Sequence, residues 1–92
     1  MKLLKTAIAG TLESSDVMVT VEPAEELSVD LESNVAKQFG TSIKQTALKV
    51  AKEMDVSGAV IRLVDHGALD CTIRARLETA FKRALTAKEA AK

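Results

Sequence analysis

Two short stretches of the chain alternate between apolar and polar positions. In residues 17–21, Val-Met-Val-Thr-Val, the three valines share one face, and residues 27–31, Leu-Ser-Val-Asp-Leu, repeat the alternation. A period of two with β-branched residues is typical of half-buried strands. Pro23 ends the first stretch because it cannot donate a ladder hydrogen bond. The pattern predicts an antiparallel hairpin whose turn covers residues 23–26.

A weaker strand pattern precedes this hairpin. Residues 6–12 can pair with residues 17–21, which leaves Glu-Ser-Ser-Asp at 13–16 as the connecting turn. Serine and aspartate suit turns because their side chains hydrogen-bond to nearby backbone groups. We therefore expect Ser14 to project from the tip of a hairpin.

Residues 34–54 change to a helical spacing, because apolar residues recur there every three or four positions. Gly40 lies inside this pattern, where glycine costs about 1 kcal/mol relative to alanine. It predicts either a bend or a helix that begins only at Thr41. After a linker, residues 59–64, Ala-Val-Ile-Arg-Leu-Val, predict a further strand, and residues 65–67 form a turn.

A second helix is predicted from about residue 70 to residue 85. Its apolar face contains Leu69, Ile73, Leu77, Ala80, Phe81 and Ala84. The order of elements predicts an α+β fold, a small antiparallel sheet of three to four strands with two helices packed on one face. The 92 residues make one domain, with residues 86–92 as a frayed tail.

The composition argues against several classes of function. Lysine plus arginine (13) equals aspartate plus glutamate (13), so the formal net charge is zero, whereas binding to nucleic-acid phosphates requires clustered basic residues. Phe39 and Phe81 are the only aromatic residues, which leaves no platform for stacked bases. No segment has the roughly 18 apolar residues of a membrane span. We expect neither nucleic acid nor a membrane as a partner.

Cysteine and histidine are too few for metal or disulfide chemistry. Cys71 is the only cysteine, so an internal disulfide is excluded and a reducing, cytoplasmic location is expected. Cys71 with His66, the only histidine, does not supply the three or four ligands of a zinc site. We interpret Cys71 as a small packed thiol and not as a reactive one.

Serine hydrolysis requires a base within hydrogen-bond reach of the nucleophile. His66 lies in the predicted Asp-His-Gly turn, and the spacing does not show that it reaches Ser14. A triad with Asp65 or Asp70 is a remote alternative, and a solvated turn histidine is favoured. We therefore expect no catalytic residue and no metal ligand in this chain.

The Glu-Ser-Ser-Asp turn itself keeps three interpretations. Its hydroxyls can simply cap backbone groups on a surface turn, which the residue types alone favour. A covalent modification site is the second interpretation, because an accessible hydroxyl on a tight turn suits a modifying transferase. An enzymatic nucleophile is the third and least favoured.

Three blocks of the sequence resemble the citrate lyase acyl carrier protein (gamma chain) family. They are Gly-Thr-Leu-Glu-Ser-Ser-Asp-Val-Met at 10–18, Val-Ala-Lys-Gln-Phe-Gly at 35–40, and Gly-Ala-Leu-Asp-Cys at 67–71 with Arg-Ala-Arg at 74–76. The blocks occur in the family's order, and the resemblance extends from near the N-terminus to about residue 84.

The resemblance implies a covalently attached prosthetic group, 2'-(5''-phosphoribosyl)-3'-dephospho-coenzyme A. In the family a phosphodiester joins this group to the serine after Gly-Thr-Leu-Glu, and the matching residue here is Ser14. A glycine often follows that serine in the family, but Ser15 stands there in this chain and adds a neighbouring hydroxyl. Asp16 matches the motif and is expected to help shape the turn.

The resemblance also implies partners and a reaction. The expected partners are the citrate lyase alpha and beta subunits and the transferase that attaches the prosthetic group. The alpha subunit exchanges bound acetyl for citrate and releases acetate, and the beta subunit cleaves the citryl thioester to oxaloacetate. The chain itself would be a non-catalytic carrier, because the chemistry belongs to the cofactor and the partners.

Two alternatives remain open at this stage. The acyl carrier subunit of malonate decarboxylase uses the same prosthetic group and a similar serine-containing turn, and a non-catalytic α+β interaction module would carry none. Fatty-acid carrier proteins are helical, so the strand patterns argue against that group. Arg74 and Arg76 are interpreted as part of a solvated helix face, with contact to the phosphates of the arm or to a partner as the alternative.

Overall fold

Four strands and two helices follow the predicted order along the chain. The structure, a computed structural model, describes residues 2–33 and 36–86, without the side chains of 36–39. The elements are β1 (Ala7–Gly10), β2 (Val17–Pro23), β3 (Leu27–Ser33), α1 (Ala36–Glu53), β4 (Ala59–Asp65) and α2 (Asp70–Leu85). The fold is α+β, as predicted. Within the described residues, no helix is long and apolar enough to cross a membrane.

The strands form one mixed sheet in the order β1-β2-β4-β3. β1 pairs with β2 and β2 pairs with β4 in antiparallel fashion, whereas β3 and β4 are parallel. The predicted hairpin between residues 17–21 and 27–31 is therefore wrong, because β4 lies between these two strands. The sheet is mixed and not antiparallel throughout. Alternation identifies a strand and its buried face, but it does not identify the neighbouring strand.

Gly58 makes the insertion of β4 sterically feasible. The connection between β2 and β3 passes over the start of β4, and a Cβ atom at Gly58 would lie 2.3 Å from the Ala24 carbonyl oxygen and 2.7 Å from that of Glu25. Immediately after it, the Ala59 N–H donates to the Glu26 carbonyl at 3.1 Å. Only a residue without a side chain fits under this crossing.

Both helices pack on one face of the sheet, as predicted. Side chains that alternate along β2 and β4 form the buried surface, and residues from both helices cover it. The fully buried members include Val17, Val19, Val21, Ile61, Ala47, Val50, Leu77 and Phe81. The opposite face carries half-buried and exposed side chains such as Thr20 and Arg62. Among the described side chains, the core is thus aliphatic apart from Phe81 of α2.

The helices differ from the sequence expectations at two positions. α1 continues through Gly40, so the alternative start at Thr41 is wrong. Leu69 was expected on the buried face of α2, but 70% of its surface is exposed. It precedes the first helical residue with an extended backbone and so does not share the helical face. The predicted frayed tail lies, from residue 87 onward, outside the described residues.

Candidate functional site

The turn between β1 and β2 presents two serine hydroxyls at one end of the sheet. The predicted pairing of these strands is confirmed, with Gly10 opposite Met18 at the end next to the turn. The Asp16 N–H donates to the Glu13 carbonyl at 3.1 Å and closes the turn. Ser14 and Ser15 are both exposed. Within the described residues, no hydrogen bond occupies the Ser14 hydroxyl.

Ser15 adopts a backbone conformation that is unusual for a residue with a side chain. Its φ of 65° lies in the left-handed region, which residues other than glycine, asparagine and aspartate seldom occupy. The Ser15 N–H donates to the His66 carbonyl at 2.8 Å, and the His66 N–H donates to the Asp16 carbonyl at 2.9 Å. The loop after β4 therefore holds the turn in place through these two backbone hydrogen bonds.

Asp16 is the buried anchor of this turn. Its carboxylate accepts hydrogen bonds from the Thr11 hydroxyl at 2.6 Å and from the Val17 N–H at 2.7 Å. Arg76 of α2 donates through Nε at 3.0 Å and through Nη2 at 2.9 Å. This forked geometry is the strong form of an arginine–carboxylate pair. The Arg76 guanidinium, the Thr11 hydroxyl and the Val17 N–H together hold the pKa of Asp16 well below its usual range.

Arg76 therefore ties the turn to α2 across 60 residues of sequence. The same contact raises the pKa of Arg76 above its usual value. Arg74, two residues earlier, donates to Glu53 of α1 at 2.7 Å and lies 3.7 Å from Glu78. Both arginine side chains remain partly exposed, Arg74 by 31% and Arg76 by 39%, and each also pairs with a carboxylate of the chain itself.

His66 contacts the turn but does not form a catalytic group with it. In the described part of the chain, no hydrogen bond joins the His66 ring to Ser14, and His66 contacts the turn through its backbone. Asp65 instead accepts from the Ser33 hydroxyl at 2.8 Å and from the Ala68 N–H at 3.0 Å. Cys71 is exposed, so its interpretation as a packed thiol is wrong.

The described residues also offer no ligand set for a metal ion. Across residues 2–33 and 36–86, no group of three His, Cys, Asp or Glu side chains could hold a metal ion. What the site does contain is an exposed primary hydroxyl on a turn held by side-chain and backbone hydrogen bonds.

Comparison with known proteins shows which family the chain belongs to. The family described as "Malonate decarboxylase delta subunit (MdcD)", an acyl carrier family, matches residues 4–84. The citrate lyase acyl carrier protein of Streptococcus uberis is 51% identical to this chain, and the match covers 91% of this chain and 84% of that protein. The protein of the same name from Serratia proteamaculans is 54% identical with the same coverage. The chain belongs to the citrate lyase acyl carrier protein family. A further member, from Treponema denticola, is 46% identical over 91% of this chain and 97% of its own length.

A solved structure shares the fold of this acyl carrier chain. One chain of a Pseudomonas malonate decarboxylase hetero-tetramer superposes with a TM-score of 0.75, covering 91% of this chain and 88% of that chain. The two sequences are 24% identical, so the likeness concerns the fold. It supports the mixed four-stranded sheet with its two helices.

The turn fits the covalent attachment that this family implies. An attachment serine must be accessible to a transferase, and Ser14 is exposed at the turn. It must also remain in place when a large group is added, and the contacts of Asp16 with Arg76 and of Ser15 with His66 supply that rigidity. Sequence reasoning had identified Asp16 but had missed Arg76 as its partner, although both lie in the blocks that carry the family resemblance.

Proposed function

We propose that the chain is the acyl carrier subunit of citrate lyase and that Ser14 carries phosphoribosyl dephospho-coenzyme A through a phosphodiester. The observation that carries this proposal is the exposed Ser14 hydroxyl on a turn anchored by Asp16 and Arg76. It occurs in a chain 46–54% identical to citrate lyase acyl carrier proteins over most of its length.

The residues of the turn have distinct tasks in this proposal. Ser14 supplies the oxygen of the phosphodiester, and the Asp16–Arg76 pair holds the turn against α2 while the group is attached and used. The prosthetic group supplies a thiol at the end of a long arm, which carries the acyl group between active sites. Tethering makes each transfer effectively intramolecular, with effective concentrations in the mM range for short flexible linkers.

The chain is a non-catalytic subunit in this proposal, and its partners do the chemistry. They are the alpha and beta subunits of citrate lyase, which exchange and cleave the citryl group in the cytoplasm, and the transferase that attaches the prosthetic group.

An acyl carrier subunit of malonate decarboxylase is the second candidate. The family match over residues 4–84 and the fold of the Pseudomonas hetero-tetramer favour it. Affinity purification of the chain from its native host distinguishes the two complexes. Recovery of citrate-cleaving subunits supports the first assignment, and recovery of malonate-decarboxylating subunits would replace it with the second.

A matched pair of variants tests the attachment site. Ser14→Ala and Ser15→Ala are each produced together with the attaching transferase and its substrate, and the intact masses are compared with the wild-type chain. We expect the prosthetic group on the wild type and on Ser15→Ala, and none on Ser14→Ala. A modified Ser14→Ala protein would move the site to Ser15 or elsewhere.

A further inference from the structure

A cleft of about 290 Å³ lies between α1 and the beginning of α2, beside the loop that supports the Ser14 turn. Ile43 of α1 and Ile73 of α2 line it and are almost fully buried. Ser42 and Leu69 also line it and are exposed, so they mark its rim. Leu69 thus leaves a large apolar surface uncovered at the opening.

The loop after β4 connects the cleft with the turn. Gly67 lines the cleft, and the residue before it, His66, forms two backbone hydrogen bonds with Ser15 and Asp16, of 2.8 and 2.9 Å. A group attached to Ser14 therefore begins beside the loop whose following residues line the cleft. An arm of the coenzyme A type is long enough to fold back over this loop.

We propose that this cleft receives the thiol-bearing end of the arm on Ser14, an inference that rests on the proposed function. The pantetheine portion of such an arm is an uncharged chain of methylene and amide groups. Small-molecule sites of roughly 300–1,000 Å³ combine apolar walls with a few polar groups. The cleft, at about 290 Å³, lies just below that range and has isoleucine walls, so it matches the end of the arm and not its phosphate-bearing part.

Two carboxylates at the cleft restrict what the arm can carry into it. Asp65 and Asp70 are among the lining residues; Asp65 is 1% exposed, and Asp70 accepts a hydrogen bond from Thr46 at 3.2 Å. Like charges disfavour one another where water is partly excluded. The cleft therefore favours a free thiol or an uncharged acyl group over an acyl group with free carboxylates.

A second hollow near the turn lacks the isoleucine walls of the cleft. It has about 270 Å³ and is lined by Glu32, Ser33, Val64, Asp65 and His66. Like the cleft it has two acidic lining residues, but Val64 is its single aliphatic side chain. This hollow serves as the control location.

Methyl NMR of the isoleucines tests the docking directly. The chain has four isoleucines, of which Ile43 and Ile73 line the cleft while Ile8 and Ile61 do not. Comparing the unmodified carrier with the modified one, we expect the Ile43 and Ile73 methyl signals to shift and those of Ile61 to stay unchanged. Ile8 lies in β1, two residues before its end, so it reports any general effect of attachment on the turn.

Thiol reactivity provides the second readout and uses variants. In a Cys71→Ser background the arm carries the only thiol, and its alkylation rate by iodoacetamide is compared with that of free pantetheine. An arm docked about 80% of the time reacts about fivefold more slowly, because only the free fraction is competent. Ser42→Phe, which fills the cleft from its exposed rim, should restore the free rate, whereas Val64→Phe in the other hollow should not.

The outcomes separate this inference from the proposed function. A modified chain whose thiol reacts as fast as pantetheine, or whose protection survives Ser42→Phe, overturns the cleft but leaves the carrier function intact. Equal shifts of all four isoleucines would likewise overturn it. A chain that remains unmodified in the presence of the transferase overturns both.

Discussion

Ser15 provides a sharp test of the turn, because it adopts a left-handed conformation with φ of 65°. Such a conformation costs an L-residue roughly 1–2 kcal/mol, whereas glycine accepts it freely but loses about 0.5–1 kcal/mol in conformational entropy. We therefore expect Ser15→Gly to stabilise the folded chain by about 0.5 kcal/mol. With about 4–8 °C per kcal/mol for a domain of this size, the melting temperature should rise by roughly 2–4 °C.

The opposite substitution at the same position reverses the sign. Valine is branched at Cβ and is a genuine outlier in the left-handed region, so Ser15→Val should destabilise by about 1–2 kcal/mol. Thermal unfolding followed by circular dichroism measures both variants. Ser28→Gly is the matched control, because Ser28 is exposed within β3 and glycine in a strand should lower stability by about 0.5–1 kcal/mol.

The pair of Ser15 variants also bears on function. Ser15→Gly keeps the Ser14 hydroxyl in place and should be modified as fully as the wild type. If glycine and valine at position 15 give the same melting temperature as serine, the turn does not impose a left-handed residue there, and the account of its rigidity is wrong.

Three other predictions concern the anchor of the turn and the crossing at Gly58. Arg76→Ala should speed amide hydrogen exchange at Ser15 and His66, because the turn loses its contact with α2. Arg74→Ala is the control: Arg74 pairs with Glu53 and Glu78, so its loss should leave the exchange rates of both amides unchanged. The lowered pKa of Asp16 predicts a contribution to stability that is complete above about pH 5 and is lost as the pH falls through about 3.9 toward the folded pKa. In Asp16→Asn, the free energy of unfolding in urea should therefore fall less steeply with decreasing pH than in the wild type. An identical pH dependence of the two proteins would contradict the assignment. Gly58→Ala should destabilise by about 1–3 kcal/mol through overpacking, because the added Cβ would lie 2.3 Å from the Ala24 carbonyl oxygen. A loss below about 0.5 kcal/mol in urea unfolding, the size expected of an ordinary surface substitution, would refute the crossing.

Most strands and helices were predictable because their apolar residues recur with a clear period. Alternation identified β2 and β3, and the helical spacing identified α2 with nearly the observed bounds. The strand order was not predictable in this way, because periodicity reports which face is buried and says nothing about the neighbour. Gly58 was the local sequence feature related to the position of β4 between β2 and β3. A single glycine in a linker does not, however, reveal that another loop passes over it.

The site was predictable only in part, for a related reason. Ser14 was identified as the exposed hydroxyl of a tight turn, and Asp16 as a residue that shapes it. The partner of Asp16 lies 60 residues away on α2, and no pattern of charges along the chain connects the two. Long-range ion pairs of this kind depend on tertiary packing, so Arg76 became visible only in the fold.

The most direct test of the central claim is top-down mass spectrometry of the chain purified from its own host. The account predicts one phosphoribosyl dephospho-coenzyme A group per chain, with fragment ions that assign it to Ser14. An unmodified chain isolated within an active lyase complex would contradict it.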